Sequence, residues 1–137
     1  MTAAENKNTM RAICSELARG NGGPFLDSMA EDFCWKLIGA TDWSGTYRGK
    51  RAVISELLEP LLAQFADRYT NTAHRLIAEG DYVVVECRGE VTTTAGLPYN
   101  NTYCWVCRFG NGKLRELTEY MDTELVSAAL RAPSAAA

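Results

Sequence analysis

Beyond residue 69 the apolar residues lose their helical period and begin to alternate, in four long runs at 69–78, 82–93, 99–109 and 113–121. Only Glu79-Gly-Asp, Ala95-Gly-Leu-Pro and Asn111-Gly separate these runs. Connections this short join antiparallel neighbours, because a parallel pair needs a crossover of about a dozen residues or more. The runs are roughly twice the five or six residues of an ordinary strand, and long strands twist and coil. A sheet built from them is predicted to curl, and the chain that precedes it to fill the hollow.

That preceding chain is mainly helical in pattern. Met10, Ile13, Cys14, Leu17 and Ala18 recur at i, i+3, i+4, i+7 and i+8, which marks one face of an amphipathic helix. Gly20-Asn-Gly-Gly ends it, since glycine takes a left-handed cap without a Cβ clash. Pro24 suits the first turn of a short second helix carrying Phe25, Leu26 and Met29. Residues 33–38 read as a strand and 39–46 as a loop. A third helix follows Gly49, with Val53, Leu57, Leu58, Leu61, Leu62 and Phe65 on one side. Pro60 is expected to kink it, having no N–H and crowding the turn before it. Asp122 or Thr123 is placed to cap a last helix through Leu130, and 131–137 reads as a frayed alanine-rich tail. Helices first and hairpins afterwards give an α+β class, one domain over 1–137, with a central pocket between helices and sheet.

Composition narrows the function. A chain of 137 residues buries about two-thirds of its unfolded surface, so it needs no disulfide or metal to fold. A net charge of -3 offers no reason to expect nucleic acid or an anionic membrane as partner. No stretch approaches the roughly 18 apolar residues of a membrane span, and the first residues lack the basic-then-apolar order of a secretory signal. Five cysteines, an odd number spread over helix and strand patterns, suggest free thiols in a reducing compartment. A cytoplasmic location is expected.

Candidate functional groups are few. In 82–93, Glu86, Arg88 and Glu90 share one face, and Val83, Val85, Cys87, Gly89 and Val91 the other. Either the apolar face is core and the charged face solvated, or the charged face lines the hollow and the apolar face meets a second subunit. Glu119 shares its face with Leu117 and Met121; enclosure there would raise its pKa, and a nearby Arg88 would lower it again. Two carboxylates around one arginine titrate apart and supply an acid and a base. Glu119, Glu90 and Arg88 are therefore the candidate catalytic set. Asn101, Tyr103 and Trp105 alternate on one face, where Tyr and Asn orient a polar substituent while Trp packs on apolar carbon. Trp35 and Trp43 are placed to close the mouth, and Leu37, Leu117 and Met121 complete the expected ligand-binding set. Cys104 and Cys107 have CxxC spacing, but residues three apart on a strand face opposite ways and cannot share a bond or an ion. His74, the single histidine, cannot supply a typical zinc site and is expected in the core. No phosphate-binding glycine loop or nucleophile elbow occurs. No metal or cofactor is expected.

Ala30-Glu-Asp-Phe, Trp43-Ser-Gly-Thr-Tyr-Arg-Gly-Lys, Glu79-Gly-Asp-Tyr-Val-Val-Val-Glu and Asn111-Gly-Lys-Leu-Arg-Glu-Leu-Thr-Glu-Tyr-Met-Asp-Thr stand in this order. Together they resemble the nuclear transport factor 2-like superfamily over about residues 8–126, within it the SnoaL-like and ketosteroid-isomerase-related group. The resemblance implies a cone-shaped fold whose sheet wraps around the helices. It also implies a homodimer formed through the sheet and a small apolar or amphipathic ligand. The fold hosts isomerases, cyclases, dehydratases, epoxide hydrolases and non-catalytic binding modules, so it does not by itself name an activity. The positions that match the proton-transfer groups of ketosteroid isomerase are Leu37, Ile13 and Trp105, none of which transfers a proton. Arg88-Gly-Glu90 resembles the Arg-x-Asp of limonene epoxide hydrolase, with Glu119 at its second acid, while Trp35 and Leu37 stand where that family holds its water. By resemblance to SnoaL-like cyclases, one acid near the last strand, Glu119 or Asp122, would carry the reaction. The implied function is a cofactor-independent acid–base enzyme for a small hydrophobic molecule, or else a ligand-binding or dimerisation module.

Overall fold

Thr2 starts the first helix by accepting a hydrogen bond from the Glu5 N–H at 3.1 Å. In this computed structural model, which describes residues 1–133, α1 (Ala3–Leu17) then turns Asn6, Met10, Ile13, Cys14 and Leu17 inward on one stripe. The Asn21 Oδ1 accepts from the Gly23 N–H just ahead of α2 (Gly23–Ser28), whose N-cap is Gly22, and Pro24 occupies its first turn. The chain runs directly into β1 (Met29–Leu37). A short edge strand, β2 (Gly45–Arg48), pairs back against β1. The loop expected over 39–46 therefore ends early. Only two residues of the expected loop enter β2, whose sides are too exposed to leave an alternation in the sequence.

The third helix has three parts in sequence: α3 (Lys50–Ala52), a π-helical stretch (Val53–Leu58) and α4 (Glu59–Leu62). The Glu59 N–H bonds to the Ile54 carbonyl, one residue further back than in an α-helix. Pro60 follows at once. Its ring crowds the turn before it and it donates no bond, so the disruption expected at Pro60 takes the form of a widened helix. Leu57 and Val53 remain buried beneath it.

The sheet is completed by β3 (Thr70–Glu79), β4 (Tyr82–Glu90), β5 (Thr102–Gly110) and β6 (Lys113–Met121), before α5 (Thr123–Ala129). Strand order is β2-β1-β6-β5-β4-β3. The hairpins are antiparallel as expected, while β1 lies parallel to β6. A parallel neighbour is open to β1 because the whole of the intervening chain serves as its crossover. Asn111 and Gly112, at φ 51° and 74°, make the tight β5–β6 turn in the left-handed region that Asn-Gly tolerates. The sheet is curved and unclosed. Phe33, Val83, Val85, Phe109, Leu114 and Leu117 pack from it against α1 and the π-helical stretch as one core.

Candidate functional site

Leu37 on β1, Trp105 on β5 and Glu119 on β6 lie side by side across the sheet, since Glu119 is the register partner of both others. Strand alternation turns all three inward, under α2 and α4, where they line a cavity of about 280 Å3. Its walls are aromatic and aliphatic. Phe25 stacks on Trp105 with ring centroids 5.6 Å apart, and Trp35 meets Trp105 edge-on at 6.3 Å. Tyr69, Tyr99 and Tyr103 close one side, and Leu57, Leu61 and Leu62 the helical side.

Glu119 is 7% exposed. Trp105 donates its indole N–H to Oε1 at 2.9 Å, and no other described residue hydrogen-bonds the carboxyl. Burial pushes the carboxyl up to about 7, with the Trp105 bond pulling the other way. The phenols around it are held in their protonated form. Burial pushes Tyr99 up to about 12 and raises Tyr69 and Tyr103 as well. Asn71 donates to the Tyr69 hydroxyl at 3.0 Å. Gly89 makes room for that hydroxyl, for a Cβ there would stand 2.5 Å from it. The Trp35 indole N–H is buried in the same wall and has no partner. A buried donor left unbonded costs free energy that a ligand acceptor would return.

Of the residues singled out from sequence, Glu119, Trp35, Leu37, Trp43, Tyr103 and Trp105 line this cavity. Five do not. Arg88 and Glu90 stand exposed on the outer face of β4, with Glu86, and the Arg88 Nη1 reaches only Thr102, at 3.5 Å. Val83, Val85, Cys87 and Val91 are the inward set. The expected Glu119–Arg88–Glu90 arrangement is thereby corrected: the two faces of a strand cannot serve one cavity, and burying the valines costs far less than desolvating three charges. Asn101 is fully buried but clamps Asp122, donating to its carbonyl and accepting from its N–H, both at 3.1 Å. Leu117 belongs to the core, and Met121 is half-buried outside the cavity. Asp122, the alternative acid, is exposed and spends its carboxylate capping α5.

His74 is likewise exposed, at the irregularity between Ala73 and Arg75 in β3, because the extra residue of a bulge turns it out of the core face. The tail is not frayed at Arg131. Its carbonyl accepts from Trp43 Nε1 and Gln64 Nε2, each at 2.9 Å, and its N–H donates to Gln64 Oε1 at 2.8 Å. These bonds draw Val126 and Leu130 over the end of the cavity. Residues 134–137 of the expected tail lie outside the described residues. Phe25, Leu26, Tyr69, Tyr99 and Arg68 line the cavity without having been singled out as site residues. The helical and strand periods mark most of them as inward, but no period distinguishes a cavity wall from a core. Among the described residues no three His, Cys, Asp or Glu are grouped to hold a metal ion, and no helix is long and apolar enough to cross a membrane.

The profile of the SnoaL-like domain matches residues 10–117. A search of curated proteins gives no match. Among solved structures, an NTF2-like protein of unknown function from Burkholderia pseudomallei is similar, with a TM-score of 0.79 and 21% identity over 96% of this chain and 100% of that one. A candidate SnoaL-like polyketide cyclase from a Jannaschia species aligns with a TM-score of 0.75 and 17% identity, over 93% of this chain and 92% of the other. A candidate isomerase from Bacillus subtilis aligns at 0.71 and 21%, over 94% and 95%. At such identities the likeness establishes the cone-shaped fold.

Proposed function

The chain belongs to the SnoaL-like domain family, and from that footing we propose that it is a cofactor-independent acid–base enzyme acting on a small, largely apolar molecule, with Glu119 as the proton-transfer group. The observation that carries this reading is a lone carboxyl, raised to about 7, inside an aromatic cavity. Such a group is part protonated and part ionised near neutral pH, which suits a general acid or base. Tyr103 and the unpartnered Trp35 N–H are donors in the same walls, suited to an oxygen that gains charge. One carboxyl with neutral donors favours isomerisation, cyclisation or dehydration, in which a single group can take a proton and return it. Epoxide opening through two acids is not favoured, since Glu90 stands outside. That two of the structural neighbours are a candidate polyketide cyclase and a candidate isomerase supports the same range. A carbon-detected NMR titration of the Glu119 side chain tests the premise. A midpoint near 7 supports the assignment, and a midpoint below 5 removes it.

A second reading, a ligand-binding module without chemistry, is favoured by the presence of only one proton-transfer carboxyl among the described residues of the cavity. All five thiols are free, in keeping with a reducing, cytoplasmic setting. We also propose a homodimer through the outer face of the sheet. There Ile77, Val84 and Val106 are register neighbours, flanked by the Arg75–Glu86 and Arg108–Glu116 ion pairs. Such a stripe with charges of both signs is self-complementary under a two-fold axis. Val106→Glu is expected to halve the mass measured by light scattering while leaving the circular dichroism unchanged. A wild-type mass already monomeric at about 100 μM would count against the dimer.

A further inference from the structure

Only two charged side chains line the cavity among the described residues, Glu119 at its buried end and Arg68 at its exposed end. The position of Arg68 is built into the fold. Its Cγ and Cδ lie across Gly20, and a Cβ at that glycine would overlap both. Gly20 also sits at φ 80°, where residues with a side chain are strained. Glycine at this helix end therefore does two things: it ends α1, and it lets the arginine stem lie flat so that the guanidinium is held at the cavity rim. No described residue makes an ion pair or hydrogen bond with Arg68, so its guanidinium is free to meet a ligand. Leu26, Leu62 and Phe65, apolar and each at least partly exposed, line the same cavity.

We propose that the cavity takes a small aromatic molecule bearing one anionic group, a carboxylate or its equivalent, which Arg68 holds at the mouth while the rings run inward to Glu119. This rests on the reading of the cavity as the substrate site and specifies what it admits. A planar guanidinium offers two parallel N–H donors to such an anion and binds it more strongly than a neutral acceptor. The opposite orientation is disfavoured, because the deep end holds a carboxyl and no cation. A cationic ligand would meet like charge at the rim. Eight aromatic side chains in the walls favour rings over a flexible chain, since flat faces stack without ordering rotors.

Two fluorescent probes of one ring system test this: anilinonaphthalene sulfonate and phenylnaphthylamine, which lacks the sulfonate. The chain's three tryptophans, Trp35, Trp43 and Trp105, all line the cavity, so energy transfer from them reports binding there. Wild-type protein is expected to bind the sulfonate about tenfold more tightly, the scale of one charge-assisted contact. Arg68→Gln should abolish that preference with phenylnaphthylamine affinity unchanged, and Arg68→Lys should keep part of it. Equal affinities in the wild type, or equal weakening of both probes by Arg68→Gln, would overturn the anion preference and leave the cavity standing as a ligand site. Failure of both probes to bind the folded protein would overturn the preference and the substrate-site reading together.

Discussion

Glu119→Gln is expected to lower kcat/KM on the protein's substrate by about 10² to 10⁴, the usual contribution of a positioned general acid or base. The amide preserves the shape of the carboxyl, and its oxygen can still accept from the Trp105 indole N–H that now bonds Oε1 at 2.9 Å. Cavity and ligand affinity should therefore survive while proton transfer is lost. The loss should appear in kcat more than in KM, because the side chain's contribution changes between ground and transition state. Glu119 is raised to about 7 by burial, so the wild-type pH profile should turn near that value and the variant's should not. The measurement is a pair of pH–rate profiles on a substrate found by screening aromatic acids and polyketide-like ketones. Full activity in Glu119→Gln would remove the residue from the chemistry. A tight ligand recovered unchanged after long incubation with the wild type would instead establish the binding-module reading.

The same carboxyl should make stability depend on pH, with a sign opposite to that of most acids. In the unfolded chain Glu119 ionises near its ordinary 4.5, whereas the folded chain keeps the proton until about 7. Across that interval the folded state binds more protons than the unfolded one, so its stability falls as pH rises and levels off above the interval. The full cost of ionising the carboxyl in place is on the order of 3 kcal/mol. Glu119→Gln carries no such cost, so it should be more stable than the wild type at pH 8 by up to that amount and nearly equal at pH 4. Urea denaturation of both proteins at a series of pH values measures the difference. Superimposable curves would mean that Glu119 ionises freely, and the buried setting argued for it would fall. A variant that gains stability as it loses activity is the usual mark of a residue kept for function.

Much of the fold was legible in residue order. The period of α1, the glycines after it, the Asn111-Gly turn and the Asp122 cap act through local geometry, and each element stands within a few residues of its expected place. Two strands, β4 and β5, are shorter than their alternating runs. Between them, residues 92–94 bond with the segment after α4, where the Ala66 N–H meets the Thr92 carbonyl and the Thr94 N–H the Gln64 carbonyl. That pairing joins segments about 26 to 30 residues apart and leaves no local trace.

The candidate site divides along the same line. Glu119 was marked by its apolar companions on β6, and it lines the cavity together with Trp35, Leu37, Trp43, Tyr103 and Trp105. Alternation in β4 defined two faces correctly. It could not say which turned inward, since that depends on what α1 presents to the strand, and α1 presents Met10, Ile13 and Cys14. The resemblance to an Arg-x-Asp pair pointed the wrong way for Arg88 and Glu90, because three residues in order carry no information about the side of the sheet they occupy.

By itself, then, the sequence determined the α+β class, the order of the helices and long strands, the two faces of each long strand and the apolar setting of one carboxyl. These follow from steric and hydrophobic preferences that act within a few residues. Only the tertiary structure decided the parallel β1–β6 pair, the capture of Arg131 by Gln64, the solvent-facing side of Arg88 and Glu90, and the seat of Arg68 over Gly20. Each of these joins residues 48 to 85 positions apart, or depends on which distant surface covers a strand. Such contacts form because they share out burial and hydrogen bonds across the whole chain, and no local pattern encodes that division.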